Sequence, residues 1–448
     1  MRIYDKLTDP DVRLRVCVMQ AQIGLMTGNL EGATAWATRG IEIGNDMQSG
    51  PVLELRPWML SMRRQPHELL FTALARAQRF DDALAVFDQW QGRTLLDAMD
   101  RDLSTQPPSL RAAATYTQEL HRLFPMRSNA PFIKPIDRNV LVATLRGVDL
   151  VAVLVANEDV WRITARHGQL DIVDLGAIAT LGPLFDQFKA MPTQVEPAGA
   201  LGAKLLGDDA FRNTDETLFV LLDGPLADLP IAALRARGRP IVAIRPIVRT
   251  SRLSELDCVP ALSGVLHAAI IADPRGELPD ARREADQVAA IFGMRPTIGA
   301  AATRDALLAA SSADVLHVAT HGSVETGGGS LDMYDQPVSA LELSTRSGGP
   351  ALVVLSACES AAANDSEFGT SLATAFLASG SHQVIATLRA VTDPGAGEIT
   401  SAFYREGGVA DPARTLAHIQ ARLAQTSRNV DWPNFILLGH DICRKKSP

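Results

Sequence analysis

Two apolar runs, residues 313–320 and 350–357, constrain the fold more than any other part of this chain. Each is rich in Val, Leu and Ala, and each closes on residues able to do chemistry. The first ends at His321-Gly322 and the second at Cys358-Glu359-Ser360. Continuous apolar runs of this length read as strands buried on both faces, hence as members of a parallel sheet covered by helices. In open parallel sheets, ligands and reactive groups collect just beyond the carboxyl ends of the strands. His321 and Cys358, 37 residues apart, can therefore meet at one sheet edge as a base and a nucleophile.

The chemistry needs both residues. A thiol is mostly protonated near neutral pH and its thiolate is the nucleophile, so an imidazole that accepts the proton makes Cys358 useful. Gly322, lacking Cβ, lets a backbone N–H approach a substrate carbonyl closely, and the Cys358 N–H supplies a second donor to the developing oxyanion. The competing reading is structural, with Cys358 a small buried hydrophobe and His317 and His321 ordinary strand residues.

Val315-Leu316-His317-Val318-Ala319-Thr320-His321-Gly322 and Leu352-Val353-Val354-Leu355-Ser356-Ala357-Cys358-Glu359-Ser360 resemble the two signature segments of the CHAT family of caspase-like cysteine peptidases. Leu278-Pro279-Asp280-Ala281-Arg282-Arg283-Glu284 resembles its LP-x-A-x-x-E segment. Phe403-Tyr404 resembles its FY pair, and the stretch from Trp432 to Gly439 its terminal W-x-x-F-x-L-x-G strand. Leu222-Asp223-Gly224-Pro225-Leu226-Ala227-Asp228-Leu229-Pro230 resembles the DG-x-L-x-x-LP turn of the family's first half, so the similarity spans about residues 130–448. The resemblance implies a caspase-like sheet, a catalytic His321, a nucleophilic Cys358, a structural His317 and no cofactor. One departure stands out. Thr387-Leu388-Arg389 replaces the family's Ser-Leu-Trp segment, which changes a wall of the cleft and leaves substrate preference open.

A chain of 448 residues, 46% apolar and 21% charged, has ample material for two or three domains with buried cores. The expected division is a helical region over 1–126, a non-catalytic half over 131–255 and a catalytic half over 262–448. A net charge of −8 argues against a general nucleic-acid surface. No run is long enough to span a bilayer. Cys17, Cys258, Cys358 and Cys443 lie far apart, so neither a metal site nor a disulfide framework is indicated, and a reducing cytoplasm fits.

Residues 11–125 read as helical. Pairs around Ala33 and Ala83 resemble tetratricopeptide units, separated by an insertion containing Pro51, Pro57 and Pro66. Two imperfect units are too few to stand alone, so they are expected to pack on the next domain or to end a longer array, and to offer a surface for an activating protein partner. Breaker clusters at 106–109 and 127–131 follow, the second being the better boundary. Segments 140–145, 150–155, 160–164, 218–222, 240–244, 265–272 and 384–388 read as strands. Residues 279–292 and 369–380 read as helices.

The connection 323–349 is Gly- and Ser-rich and reads in part as a mobile surface loop; by analogy with caspase-like enzymes, a self-cleavage site after Arg346 is expected there. Asp393 and Asp273, each just beyond a strand, are candidates for holding a basic substrate side chain, as separases use an acid after the corresponding strand; turn or cap roles are the alternative. Arg275 and Arg389 point the opposite way, to an acidic preference. The expected function is hydrolysis of specific protein targets through a thioester, and the resemblance implies a bacterial regulatory, defence or cell-death pathway. A silent adaptor and a hydrolase of non-peptide acyl groups are the other classes.

Overall fold

The computed structural model describes residues 4, 7–46, 57–90 and 138–443, apart from 213, 254–255, 257, 326–327, 345, 363–370 and 427–428. The breaker clusters at 106–109 and 127–131 lie outside the described residues.

The front of the chain is helical, as expected. Asp9 caps α1 (Pro10–Thr27) by accepting from the Asp11 N–H, and Gly28 ends it at φ 76°. It packs on α2 (Leu30–Asp46) at Gly24, where an added Cβ would sit 2.9 Å from Ala33 N. Small residues thus permit the close helix contact expected of this pair. Next come α3 (Pro57–Arg76) and α4 (Phe80–Trp90). Of the expected insertion, Pro51 lies outside the described residues, Pro57 opens α3, and α3 runs straight through Pro66, whose ring rests against Gly40 of α2. Packing across the helix pair outweighs the hydrogen bond that proline forfeits.

The helical front docks on the chain that follows, through α5 (Arg138–Arg146), β1 (Asp149–Ala156), β2 (Asp159–Arg166) and β3 (Gln169–Ala177). Phe71 meets Trp161 edge-on at 5.7 Å, and Arg64 pairs with Asp223 at 2.5 Å while lying over the Trp90 ring. Arg252 reaches the buried Asp88 at 3.3 Å. Such half-buried pairs fix register between surfaces that aromatic burial holds together.

After α6 (Ile178–Ala190), α7 (Val195–Leu206) and β4 (Leu218–Leu222) comes a short hairpin of β5 (Arg235–Ala236) and β6 (Arg239–Pro240), then β7 (Ile247–Arg249). The chain continues through β8 (Cys258–Val259), β9 (Ala268–Ala272), α8 (Pro279–Phe292), β10 (Thr297–Ile298), α9 (Arg304–Ala309) and β11 (Val315–Ala319). Then follow β12 (Gly322–Glu325), β13 (Gly328–Leu331), β14 (Val338–Ser339), α10 (Ala340–Ser344) and β15 (Leu352–Ser356). Last are α11 (Leu372–Ala378), β16 (Gln383–Thr387), α12 (Asp393–Arg405), α13 (Pro412–Thr426), β17 (Phe435–Gly439) and β18 (Asp441–Ile442).

The main sheet runs β10-β9-β11-β15-β16-β17-β7-β4-β1-β2-β3, mostly parallel, with antiparallel pairings at β16–β17 and in the β1–β2–β3 meander. Every residue of β4, β11, β15 and β16 is buried, which is why those segments read as unbroken apolar runs. β17 enters between β16 and β7 and joins the two parallel blocks into one sheet.

Several expectations are corrected. Residues 140–145 belong to helix α5, with Leu141, Val142 and Leu145 buried at helical spacing; β-branched content alone misled. In 240–244 only Pro240 pairs as strand, Ile241–Ala243 form a 3-10 turn, and the ladder strand is β7, after Pro246. The meander strand β3 escaped notice because its outer face is polar and exposed. Within the connection after Gly322, β12, β13 and β14 form a small antiparallel sheet against α11, where Gly329 meets Leu372; residues 326–327 and 345 lie outside the described residues. Finally, Cys258 and Cys443 form a disulfide beside the β8–β18 pairing, enclosing a separation of 185 residues; no short spacing signals such a bond. Among the described residues, no helix is long and apolar enough to cross a membrane.

Closing so long a loop restricts the unfolded chain, so Cys258→Ser is expected to lower stability by about 2–4 kcal/mol. Denaturant melts with and without reductant check this; identical midpoints would contradict it.

Candidate active site

Strands β11 and β15 pair in parallel from Val315↔Leu352 to Ala319↔Ser356. Two residues beyond each end of that ladder stand His321 and Cys358, so register alone brings them opposite one another. The turn after β11 is fixed from its far side. Thr320 Oγ1 donates to the Asp332 carbonyl at 2.8 Å and the Asp332 N–H donates to the His321 carbonyl at 3.0 Å. Gly322 is pressed against the Cys358 backbone, and any Cβ there would overlap the Cys358 carbonyl oxygen. That approach requires glycine.

Cys358 leaves β15 in a strained turn, with Glu359 at φ 55°, a left-handed conformation uncommon for a side-chain-bearing residue. The turn is held by β16. Thr387 Oγ1 donates to the Ala357 carbonyl at 2.7 Å, the Thr387 N–H donates to Ser360 Oγ at 3.0 Å, and the Ala361 N–H donates to the Thr387 carbonyl at 2.8 Å.

The two reactive side chains face separate partners in this structure. The half-buried Cys358 thiol donates to the Val391 carbonyl at 3.6 Å, while His321 Nε2 stands 3.8 Å from Glu277 Oε2. Both members of the His321–Glu277 pair are largely exposed, so the pair holds the ring weakly and leaves its rotamer free to change. Catalytic hydrogen bonds commonly tighten only when substrate binds.

The other candidates separate cleanly. Asp273 is buried at φ 45°; its Oδ1 accepts from the Leu278 N–H at 2.9 Å and its Oδ2 meets Arg282 at 3.1 Å, so both oxygens are engaged in a turn. Asp393 opens α12, is half-buried, and accepts from the Asp280 N–H at 3.0 Å; burial pushes its carboxyl above the usual aspartate range. Arg389 donates to the Lys189 carbonyl at 2.6 Å and meets Asp228 at 3.4 Å. It forms one wall of a cleft of about 310 Å³ whose other walls include Met191, Gln194, Val430 and Asn434. Arg275 reaches Asp332 at 3.5 Å, beside the His321 turn. Arg346 is exposed, but it lies before β15 begins, by Leu308 and Pro350, at the opposite end of the strand from Cys358.

Sequence reasoning missed Glu277 and the Val391 carbonyl, which carry no residue-type signal. It quoted Glu284 only as part of a resemblance. Among the described residues, no group of His, Cys, Asp and Glu could hold a metal ion.

Gly322→Ala forces an overlap in a packed turn and is expected to cost about 1–3 kcal/mol of stability. Gly182→Ala, in α6 with no atom near the new methyl, is expected to be neutral or slightly stabilising. Urea melts of both variants check the contrast, and equal effects would contradict the close approach.

The fold is similar to two crystal structures of the Saccharomyces cerevisiae separase–securin complex, one at 2.6 Å and one at 3.0 Å resolution. The matches have TM-scores of 0.59 and 0.57 at 10% identity, covering 94% and 93% of this chain. The chain spans 38% of the length of each matched chain. At that identity the likeness is one of fold. A search of curated proteins finds no match. The CHAT domain model matches residues 195–440, more than half of the sequence, and includes both the His321 and Cys358 segments. The chain therefore belongs to the CHAT domain family.

Proposed function

We propose that this chain is a cysteine endopeptidase in which His321 and Cys358 form the catalytic dyad. The observation that carries the reading is the closure of Gly322 onto the Cys358 carbonyl at the carboxyl edge of β11 and β15. That closure sets the backbone of the His321 turn against the Cys358 turn, which supports assigning base, nucleophile and two N–H donors to this edge. The separase-like fold and the CHAT match are compatible with this chemistry.

In the proposed sequence His321 turns from Glu277 and takes the thiol proton, and the Cys358 thiolate attacks the scissile carbonyl carbon. The carbonyl π electrons move to oxygen, and the oxyanion is held by the Gly322 and Cys358 N–H groups. Collapse expels the amine, protonated by His321, and leaves a thioester. Water, deprotonated by the same imidazole, then attacks the thioester to release the carboxylic acid and the thiolate.

Asp393 is the proposed contact for a basic residue before the scissile bond, because Asp273 has both oxygens engaged internally. Protein targets, an activating protein on the helical front, and a bacterial regulatory, defence or cell-death pathway complete the proposal. Self-cleavage after Arg346, if it accompanies activation, occurs between molecules, since β15 separates that bond from the chain's own thiol. A catalytically silent adaptor is the second reading. It is favoured by the present separation of the imidazole, on Glu277, from the thiol, on Val391.

Fluorogenic peptides varied at the residue before the scissile bond test the proposal. Turnover is expected from the parent chain and background rates from Cys358→Ala and His321→Ala. Turnover that survives Cys358→Ala would overturn the dyad.

The raised carboxyl of Asp393 gives a further signature. Only the carboxylate can pair with a substrate guanidinium. The ratio of kcat/KM for an Arg peptide over its Gln counterpart is therefore expected to be high above that carboxyl's pKa. It should fall as pH drops through it, at a pH above the ordinary aspartate value. Taking the ratio cancels titration of the dyad. Asp393→Asn should flatten the profile, and a ratio independent of pH in the parent would contradict the assignment.

A further inference from the structure

Glu284, in the middle of α8, is 2% exposed and lies beneath the sheet edge that carries the candidate dyad. Burying a carboxylate is costly unless its oxygens are occupied. Those of Glu284 are occupied from three other elements. Ser356 Oγ on β15 donates to Oε2 at 3.1 Å, and Thr400 Oγ1 on α12 donates to Oε1. His317 Nε2 on β11, fully buried, stands 3.1 Å from the same Oε1. The far side of the His317 ring is also met, because the Tyr404 hydroxyl lies 3.3 Å from Nδ1 and the two rings pack edge-on at 5.5 Å.

A carboxylate only accepts, so the tautomer that satisfies Glu284 carries its proton on Nε2 and leaves Nδ1 to accept from the Tyr404 hydroxyl, which burial and the nearby Glu284 keep protonated. The Nε2–Oε1 contact is electrostatic and off the axis of a good hydrogen bond.

The placement of these partners is the point. Ser356 precedes Cys358 by two residues on β15, and His317 precedes His321 by four on β11. One carboxylate thus grips both chemistry-bearing strands within a turn of the reactive residues.

We propose that Glu284 is a positioning residue for the dyad, setting the relative height of β11 and β15 so that His321 can reach the Cys358 thiol. Its effect on turnover rests on the peptidase reading above. Its effect on the thiol does not.

The test uses the full chain and three variants: Glu284→Gln, which keeps shape and removes charge; Thr400→Val, which removes one hydroxyl; and Thr400→Ser, which keeps it. The first readout is the rate of iodoacetamide alkylation at Cys358, followed by peptide mass spectrometry. Cys17 is buried and the remaining cysteines are disulfide-bonded, so Cys358 is the accessible thiol. The second readout is kcat and KM on the best peptide substrate, and circular dichroism confirms folding.

Glu284→Gln and Thr400→Val are expected to slow alkylation and kcat by about tenfold, with KM little changed, and Thr400→Ser to restore parental rates. Folded variants that alkylate and turn over like the parent would overturn the proposal. A parent that cleaves no peptide while its alkylation still depends on Glu284 would leave the positioning role standing and remove the peptidase reading. If Glu284→Gln does not fold, the Thr400 pair decides alone.

Discussion

The parallel pairing of β11 with β15 is the contact on which the rest depends. It is made mostly by buried apolar residues, with the buried His317 and Ser356 among them. Yet its register determines which residues emerge side by side at the carboxyl edge, and a slip of one residue on either strand would send His321 or Cys358 to the wrong face. Gly322 converts this register into a fit by bringing the His321 turn against the Cys358 carbonyl. Below the edge Glu284 touches both strands, and above it Thr387 of β16 holds the turn containing Glu359. The site is thus clamped from two sides, while its two reactive side chains remain free to reorient.

The surrounding architecture protects that arrangement. β17 bridges β16 and β7, so the block that carries the dyad shares one sheet with the block beneath the helical front. The Cys258–Cys443 bond and the β8–β18 pairing tie together the two ends of the stretch 258–443, which holds both His321 and Cys358. The helical front rests on the β1–β2 side of the same sheet, with Phe71 against Trp161 and ion pairs from Arg64 and Asp88. Arg249, buried and lowered to about 10, directs one guanidinium nitrogen to the Ala227 carbonyl rather than to solvent.

Much of this was legible in the residues. The strands of the dyad, β9 and β16 are short, wholly apolar or nearly so, and bounded by breakers, which is the pattern that buried parallel strands impose. The helix α8 has Pro279 at its start and Gly293 beyond its end, and both boundaries are written in the sequence. What escaped was set by tertiary contact. Residues 140–145 have strand-like composition but bury Leu141, Val142 and Leu145 along one helical face. Asp273 is an ordinary strand-end aspartate until its partners, Leu278 and Arg282, are seen to engage both oxygens. The disulfide joins cysteines 185 residues apart that only the sheet brings together. Glu277 and Glu284 lie seven residues apart in sequence, yet one touches His321 in solvent and the other His317 in the core.

A structure of the chain with a peptidyl aldehyde bound tests the proposed dyad most directly. A thiohemiacetal is expected on Cys358, its oxygen within about 3.1 Å of the Gly322 and Cys358 nitrogens. His321 should have turned from Glu277 toward the sulfur. An adduct whose oxygen points to solvent, with His321 still beside Glu277, would contradict it.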